Sequence, residues 1–356
     1  MDNFLITKYK DVEPYVPGEQ PRDRQYLKLN TNESPYPPSE AVQKAVAESA
    51  SSLQLYPDPA CRDLKAALAE SLGLSPQNIL PTNGSDEVLS LSFMAYAHDE
   101  KPAYYPDVTY GFYDVLSGLF GVKAKRFALA KDFTINIDDY CGLESGLIVI
   151  ANPNAPTGIA IGVDAVERIC RESPDCVVLI DEAYVEFGAE SCVGLVTKYP
   201  NLIVSRTYSK SMSLAGARLG YAIANEDRIR ELETLKYTLN PYSVNRTALM
   251  AGVAAVKDIG YYRNNCDTVA KTRDETAERL KTLGFTLTDS KTNFVFCRHE
   301  SVPAGELSDR LRKAGILVRH FTGERTNDWL RISVGTPEDM LRLTDTLEKI
   351  LNGGIE

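Results

Sequence analysis

A chain of 356 residues with 44% hydrophobic and 25% charged residues has the composition of a folded globular protein, neither disordered nor fibrous, and a length typical of about two domains. Its 39 Lys and Arg against 49 Asp and Glu leave a net charge of −10, which argues against a nucleic-acid partner, because backbone binding takes a basic stripe that releases counterions. The longest apolar runs, such as 146–151 and 176–180, fall far short of the ~20 residues of a membrane span, and no secretory apolar core opens the chain, so no membrane partner and a cytoplasmic location are expected.

Residues 1–38 read as an extended arm, because Val12-Glu13-Pro14-Tyr15-Val16-Pro17-Gly18 is too broken by proline for a helix or a central strand. From Ser39 the pattern changes: Ser39 caps a helix whose apolar residues recur at three and four, and a second helix follows near 60–72. Asn83-Gly84-Ser85-Asp86-Glu87 then leads into apolar Val88-Leu89-Ser90-Leu91 at the start of another helix. That is either an ordinary N-cap or a cradle for a phosphate dianion, which helix N–H groups and the dipole both favour.

The runs 146–150, 176–180, 201–204 and 219–223 are apolar on successive residues and alternate with helical stretches. Strands apolar on both faces are covered on both faces, which predicts an α/β fold with a mostly parallel sheet sandwiched by helices, over 39–255. Beyond it come a long helix over about 256–283, strand-like 293–297, a helix over 304–314, strands at 316–319 and 329–334 and a last helix from 337. These predict a smaller α+β domain over 256–356 with an antiparallel sheet. Seven cysteines with no Cys-x-x-Cys pair, and three widely separated histidines, suggest neither a disulfide framework nor a metal site.

In α/β sheets ligands sit beyond the carboxyl ends of the strands, and the chemistry-bearing residues of this chain fall there. Run 176–180 ends in Asp181-Glu182-Ala183-Tyr184, and a carboxylate at the end of a buried strand needs a cation. Run 201–204 leads to Ser209-Lys210, with Arg218 following. A lone lysine is ordinarily solvated on the surface, but one desolvated beside another cation becomes a nucleophile or Schiff-base former. One cofactor uses a phosphate cradle, a buried acid and a reactive lysine together, namely pyridoxal 5'-phosphate.

The motifs Asn-Gly-Ser-Asp-Glu at 83, Pro-Asn-Ala-Pro-Thr-Gly at 153, Asp-Glu-Ala-Tyr at 181 and Ser-Lys-x-x-x-Leu-Ala-Gly-x-Arg-x-Gly at 209 resemble the class II pyridoxal-phosphate-dependent aminotransferases of the aspartate-aminotransferase fold. Leu29-Asn30-Thr31-Asn32-Glu33-Ser34-Pro35, Leu55-Tyr56-Pro57-Asp58-Pro59 and Leu330-Arg331-Ile332-Ser333-Val334-Gly335-Thr336 are similar to the branch that acts on histidinol phosphate. The resemblance covers essentially the whole chain.

The resemblance implies that Lys210 bonds the cofactor aldehyde, Asp181 faces the pyridine nitrogen and Tyr184 bonds the ring hydroxyl. It assigns Ser85, Asp86, Ser209 and Arg218 to the phosphate and Tyr110 to the ring face. Tyr56 would reach the phosphate bound by a second subunit, implying a homodimer with shared sites, with the arm packing on the small domain and the partner. Tyr15 and Asn32 would line the substrate pocket, and Arg319 and Arg331 would clamp an anion, since arginine binds carboxylate and phosphate bidentately. One departure stands out: the asparagine expected before Pro-Thr-Gly is Ala155, so either Asn154 substitutes or Tyr184 carries that bond alone.

The implied reaction is transamination, in which Lys210 moves one proton and histidinol phosphate and 2-oxoglutarate become imidazole acetol phosphate and glutamate. A threonine-phosphate decarboxylase and an aromatic amino-acid aminotransferase share nearly all these motifs and remain alternatives. A non-catalytic binding module has no need of Lys210, and a nicotinamide-dependent enzyme lacks its Gly-x-Gly-x-x-Gly here.

Overall fold

The computed structural model describes residues 4–10 and 12–354; the first three residues of the predicted arm, Asp11 within it, Ile355 and Glu356 lie outside the described residues. In chain order the elements are β1 (Leu27–Leu29), α1 (Glu40–Ser49), α2 (Arg62–Leu72), β2 (Ile79–Thr82), α3 (Ser85–Tyr96), β3 (Ala103–Pro106), α4 (Phe112–Phe120), β4 (Ala124–Phe127) and β5 (Gly146–Ala151). There follow α5 (Val163–Glu172), β6 (Cys176–Asp181), β7 (Leu202–Thr207), β8 (Gly220–Ala224), α6 (Glu226–Leu239), α7 (Arg246–Lys257) and α8 (Ile259–Thr282). The chain closes with β9 (Phe285–Leu287), β10 (Phe294–His299), α9 (Ala304–Lys313), β11 (Ile316–His320), β12 (Leu330–Ser333) and α10 (Pro337–Leu351).

Seven strands form one sheet in the order β2-β8-β7-β6-β5-β3-β4. All its neighbours run parallel except β8, which is antiparallel to both β2 and β7. Every residue of β5 and β6 is buried, as their unbroken apolar runs require. Alternate residues serve opposite faces. Ile148, Ile150, Val178 and Ile180 pack with residues of α1, α2, α5 and α7, whereas Leu147, Val149 and Leu179 pack with residues of α3, α4 and α6. Each such side chain contributes roughly 1.5–3 kcal/mol of burial. Pro81 sits in β2, at the sheet edge, where a missing N–H breaks no ladder.

The second sheet has five strands in the order β1-β11-β12-β10-β9. Its pairs are antiparallel except that β1, from the arm, runs parallel to β11 at the edge, which the expectation of a purely antiparallel sheet did not include. Leu29, Phe294 and Ile332 share its core with Val269 and Leu280 of α8, Leu307 of α9 and Leu343 of α10.

Two local expectations need correction. The helix expected over about 256–283 is α8 alone, preceded by a separate α7, because the chain turns at Asp258 (φ −108, ψ 34). Ser39 holds the N-cap position of α1 but its hydroxyl makes no cap bond; its backbone N–H donates to the Tyr262 hydroxyl at 3.1 Å and so ties α1 to α8. Among the described residues no helix is long and apolar enough to cross a membrane.

Candidate active site

The carboxyl ends of β6 and β7 open into a cavity of about 690 Å³. It is lined by twelve of the predicted residues: Ser85, Asp86, Tyr110, Asp181, Tyr184, Ser209, Lys210, Arg218, Tyr15, Asn32, Arg319 and Arg331.

At one end the N-terminus of α3 meets the loop after β7. Gly84 precedes α3 with a positive φ (φ +78, ψ 167), a conformation open to glycine, and no side chain caps the helix. A Cβ there would stand 2.8 Å from Arg218 Nη2, and one at Gly220 would stand 2.5 Å from Gly84 C and Ser85 N. Glycine at both positions therefore lets the first turn of α3, β8 and the Arg218 guanidinium converge. Arg218 Nη1 donates to Ser209 Oγ at 3.2 Å, and Nη2 to Asp86 Oδ2 at 3.3 Å. Asp86 Oδ1 accepts from the Tyr110 hydroxyl at 3.3 Å. With its carboxylate occupied in aiming Arg218 and Tyr110, Asp86 offers an incoming anion its backbone N–H in the first turn of α3.

Asp181 closes β6 and is only 3% exposed. Its Oδ2 accepts from the Tyr113 hydroxyl at 3.2 Å, while its Oδ1 has no hydrogen-bond partner among the described residues. Burial pushes the carboxyl up to about 7; the Tyr113 hydrogen bond opposes this and the negative charge of Asp86 adds to it. Tyr113, on α4 and 68 residues away, was not singled out in the sequence, where nothing distinguishes it from a core tyrosine.

Lys210 Nζ donates to the Thr31 carbonyl of the arm at 3.2 Å and lies 5.7 Å from the centroid of the Tyr184 ring. The Tyr184 hydroxyl accepts from Asn32 Nδ2 at 3.0 Å, and its ring stands edge-on to Phe294, 5.2 Å between centroids. Tyr110 meets Tyr15 edge-on at 5.8 Å, so the arm closes over the cavity.

Arg319 on β11 and Arg331 on β12 bound the other end. Arg319 donates to the carbonyls of Pro17 and Val16 at 3.4 Å, and Arg331 to the Asn30 carbonyl at 3.2 Å. Arg331 Nε is buried without a partner among the described residues, and burial pulls its guanidinium below the ordinary range, with the Tyr184 and Tyr15 phenols opposing and Arg319 adding to the effect. Phe321, absent from the sequence reading, lies beneath both guanidinium groups, 5.8 and 5.7 Å from their carbons.

Two predicted residues are not brought into this cavity. Asn154 is buried, but its Nδ2 donates to Val108 O at 2.9 Å and Thr157 Oγ1 at 3.0 Å, and its Oδ1 accepts from Thr109 at 2.7 Å. Its side chain braces the loop, and Ala155 lines the wall instead. Tyr56 lies on the surface, 77% exposed and stacked on Tyr242 at 4.6 Å.

The residues present fit pyridoxal phosphate. An unpartnered buried carboxylate oxygen at Asp181 calls for a cationic N–H, and a glycine-bounded helix N-terminus with Ser209 and Arg218 matches a dianion. Lys210 lines the same cavity as an amine able to meet an aldehyde.

Comparison with known proteins agrees with this chemistry. The family model for aminotransferases of class I and II matches residues 24–347. The chain is 47% identical over 353 residues to the histidinol-phosphate aminotransferase of Brachyspira hyodysenteriae, covering 99% of both chains. It is equally 47% identical over 353 residues to that of Acinetobacter baylyi, covering 98% of both. Among solved structures, the histidinol-phosphate aminotransferase of Sinorhizobium meliloti in complex with pyridoxal-5'-phosphate superposes with a TM-score of 0.89 over 99% of each chain, at 24% identity.

Proposed function

The chain belongs to the class I and II aminotransferase family, and from that membership we propose that it carries out one step of histidine biosynthesis, passing the amino group of histidinol phosphate to 2-oxoglutarate with pyridoxal phosphate. The observation that carries the reading is the meeting, in one cavity, of the Lys210 amine, the unpartnered Asp181 oxygen and the anion cradle at α3. The choice of substrate is supported by relatives that share 47% of their residues with this chain along nearly their whole length.

When bound, pyridoxal phosphate supplies an aldehyde for Lys210 and a protonated ring that accepts the electron pair left on the substrate carbon. Asp181 would hold the ring N–H with the oxygen that Tyr113 leaves free. Ser85, Asp86, Ser209 and Arg218, which line the same end of the cavity, would hold the phosphate, Tyr110 would cover the ring and Tyr184 would bond its hydroxyl oxygen. Lys210 Nζ would take the proton from the substrate carbon, and the Thr31 carbonyl, 3.2 Å away, would keep that amine directed into the cavity. Arg319 and Arg331 bind the phosphate of the amino donor and, in the second half-reaction, a carboxylate of 2-oxoglutarate. Tyr15 and Asn32 line the space between.

The same reading includes a cytoplasmic homodimer. Tyr56, with Leu53 and Leu55 beside it at 59% and 58% exposed, presents apolar surface suited to a second copy, from which Tyr56 would reach the partner's phosphate site. Residues 1–38 would be the arm, 39–255 the cofactor domain and 256–356 the small domain.

The test is spectroscopic. Protein loaded with pyridoxal phosphate should show a visible band that histidinol phosphate bleaches and that neither phenylalanine nor phosphothreonine bleaches at equal concentration. Lys210→Ala should bind the cofactor without turnover. Bleaching by phenylalanine alone, or carbon dioxide release from phosphothreonine, overturns the choice of substrate.

A further inference from the structure

Asn32 is 1% exposed and holds a left-handed backbone conformation (φ +54) that asparagine adopts more readily than most residues. Its backbone is pinned on both sides: its N–H donates to Ser333 Oγ at 2.8 Å, and its carbonyl accepts from Asn293 Nδ2 at 3.0 Å. Its side chain bridges two hydroxyls, with Oδ1 accepting from Ser333 Oγ at 2.8 Å and Nδ2 donating to the Tyr184 hydroxyl at 3.0 Å.

The direction of these bonds follows from counting protons. Ser333 Oγ accepts from the Asn32 N–H, and Asn32 Oδ1 is the acceptor its single proton reaches; with the amide reversed, Nδ2 would donate to Ser333 Oγ and the buried Ser333 proton would have no acceptor among the described residues. The amide oxygen therefore faces β12 and the amide nitrogen faces Tyr184. An amide nitrogen has no lone pair to offer, so the Tyr184 oxygen must be the acceptor of that bond and keeps its own proton for another partner. The hydroxyl makes no other hydrogen bond among the described residues, and Tyr184 lines the cavity. The loop on this wall adds no side-chain donor, because Ala155 is apolar and both Asn154 donors are spent on Val108 and Thr157.

We infer that Ser333 and Asn32 are positioning residues which turn the Tyr184 hydroxyl proton into the cavity, making Tyr184 an obligate donor to an anionic oxygen of the bound ring. The inference rests on the cofactor reading above. It assigns a role to residues 32, 184 and 333, which come from the arm, the loop after β6 and strand β12. The charged and titratable groups facing Tyr184 are Lys210, Arg331, Tyr15, Tyr110 and Tyr113.

The test is a pH titration of the visible band of the full chain loaded with pyridoxal phosphate. Asn32→Asp keeps the size and the backbone preference but presents acceptors to both Ser333 and Tyr184, so the Tyr184 proton turns away from the ring. The midpoint should rise by about one pH unit or more, a tenfold change in proton affinity. Ser333→Ala, a neutral change that frees the amide to rotate, should raise it by a smaller amount, and that rise should vanish in a Tyr184→Phe background. Midpoints unchanged within ~0.2 unit in both variants, or a Ser333→Ala rise of equal size in the Tyr184→Phe protein, overturn the inference. Where Asn32→Asp fails to load, Ser333→Ala and its double variant decide alone. An unsubstituted protein with no visible band overturns the cofactor reading instead.

Discussion

Arg319 and Arg331 stand directly opposite one another across the antiparallel pair β11 and β12, and among the described residues neither is paired with a carboxylate. Like charges facing each other across strands are destabilising, and burial of Arg331 makes this worse. The arrangement makes sense as an anion site kept at the expense of stability. Arg331→Met should therefore raise the stability of the unliganded protein by about 0.5–1 kcal/mol while raising KM for histidinol phosphate ~10- to 100-fold, the worth of one charge-assisted hydrogen bond. Thermal melts and steady-state kinetics check the two halves together; a less stable variant with an unchanged KM removes the argument.

Asp181 gives a pH dependence with a definite sign. Its carboxyl titrates near 7 in the folded chain, because of burial, against ~3.9 when unfolded. Between those values the folded state binds the extra proton, so this group's contribution to stability falls as pH rises from ~4 to 7, by on the order of 4 kcal/mol. Asp181→Asn should accordingly stabilise the cofactor-free protein at pH 8 and leave it unchanged near pH 4. Urea unfolding at the two pH values measures this, and equal stabilities at pH 8 contradict it. In the loaded protein the sign should reverse, since the ring N–H then partners the carboxylate.

Beneath the cavity, Arg206 Nη2 meets Glu182 Oε2 at 2.9 Å and Nη1 meets Glu186 Oε1 at 3.2 Å, with the Glu182 side chain fully buried. Ser191 Oγ and the Cys192 N–H also donate to Glu182. Removing the cation leaves Glu182 with those two neutral donors alone and Glu186 without its cation. Arg206→Met should cost about 3–5 kcal/mol in urea unfolding near neutral pH. A loss below ~1 kcal/mol would mean that Ser191 and the Cys192 amide suffice.

How far the sequence foretells this molecule depends on burial. The runs that became β5, β6 and β7 are legible because both their faces are covered, so they open on unbroken apolar residues (146–151, 176–180 and 202–204), and the reactive residues follow. β4 reads Ala-Lys-Arg-Phe and lies exposed at an edge, and β2 contains a proline; neither carries that signature. α6, polar on most of its surface, escapes for the same reason. Within the site, motif positions point to Lys210 and Asp181, but the partners that orient them are set by tertiary packing. Tyr113 reaches Asp181 across 68 residues and Thr31 reaches Lys210 across 179, separations that no local pattern records. Asn154 shows the converse, since a shift of one position in the motif directs its amide into the loop.

The close approach at Gly220 gives a prediction about affinity. Its Cα faces Gly84 C and Ser85 N so closely that an added Cβ would lie 2.5 Å from each, and neither neighbour is a flexible side chain that can yield. Gly220→Ala must push β8 away from the first turn of α3, and with it the loop that carries Arg218 and Ser209. The anion cradle depends on those two elements meeting, whereas Lys210 and Asp181 sit further along the cavity. The variant should thus lose pyridoxal phosphate affinity ~10-fold or more, the worth of one charged contact, while pyridoxal without its phosphate binds as before. Equilibrium dialysis with both forms of the vitamin separates the cases. If both weaken equally, the substitution has disturbed the ring site as well, and the phosphate does not sit between α3 and β8.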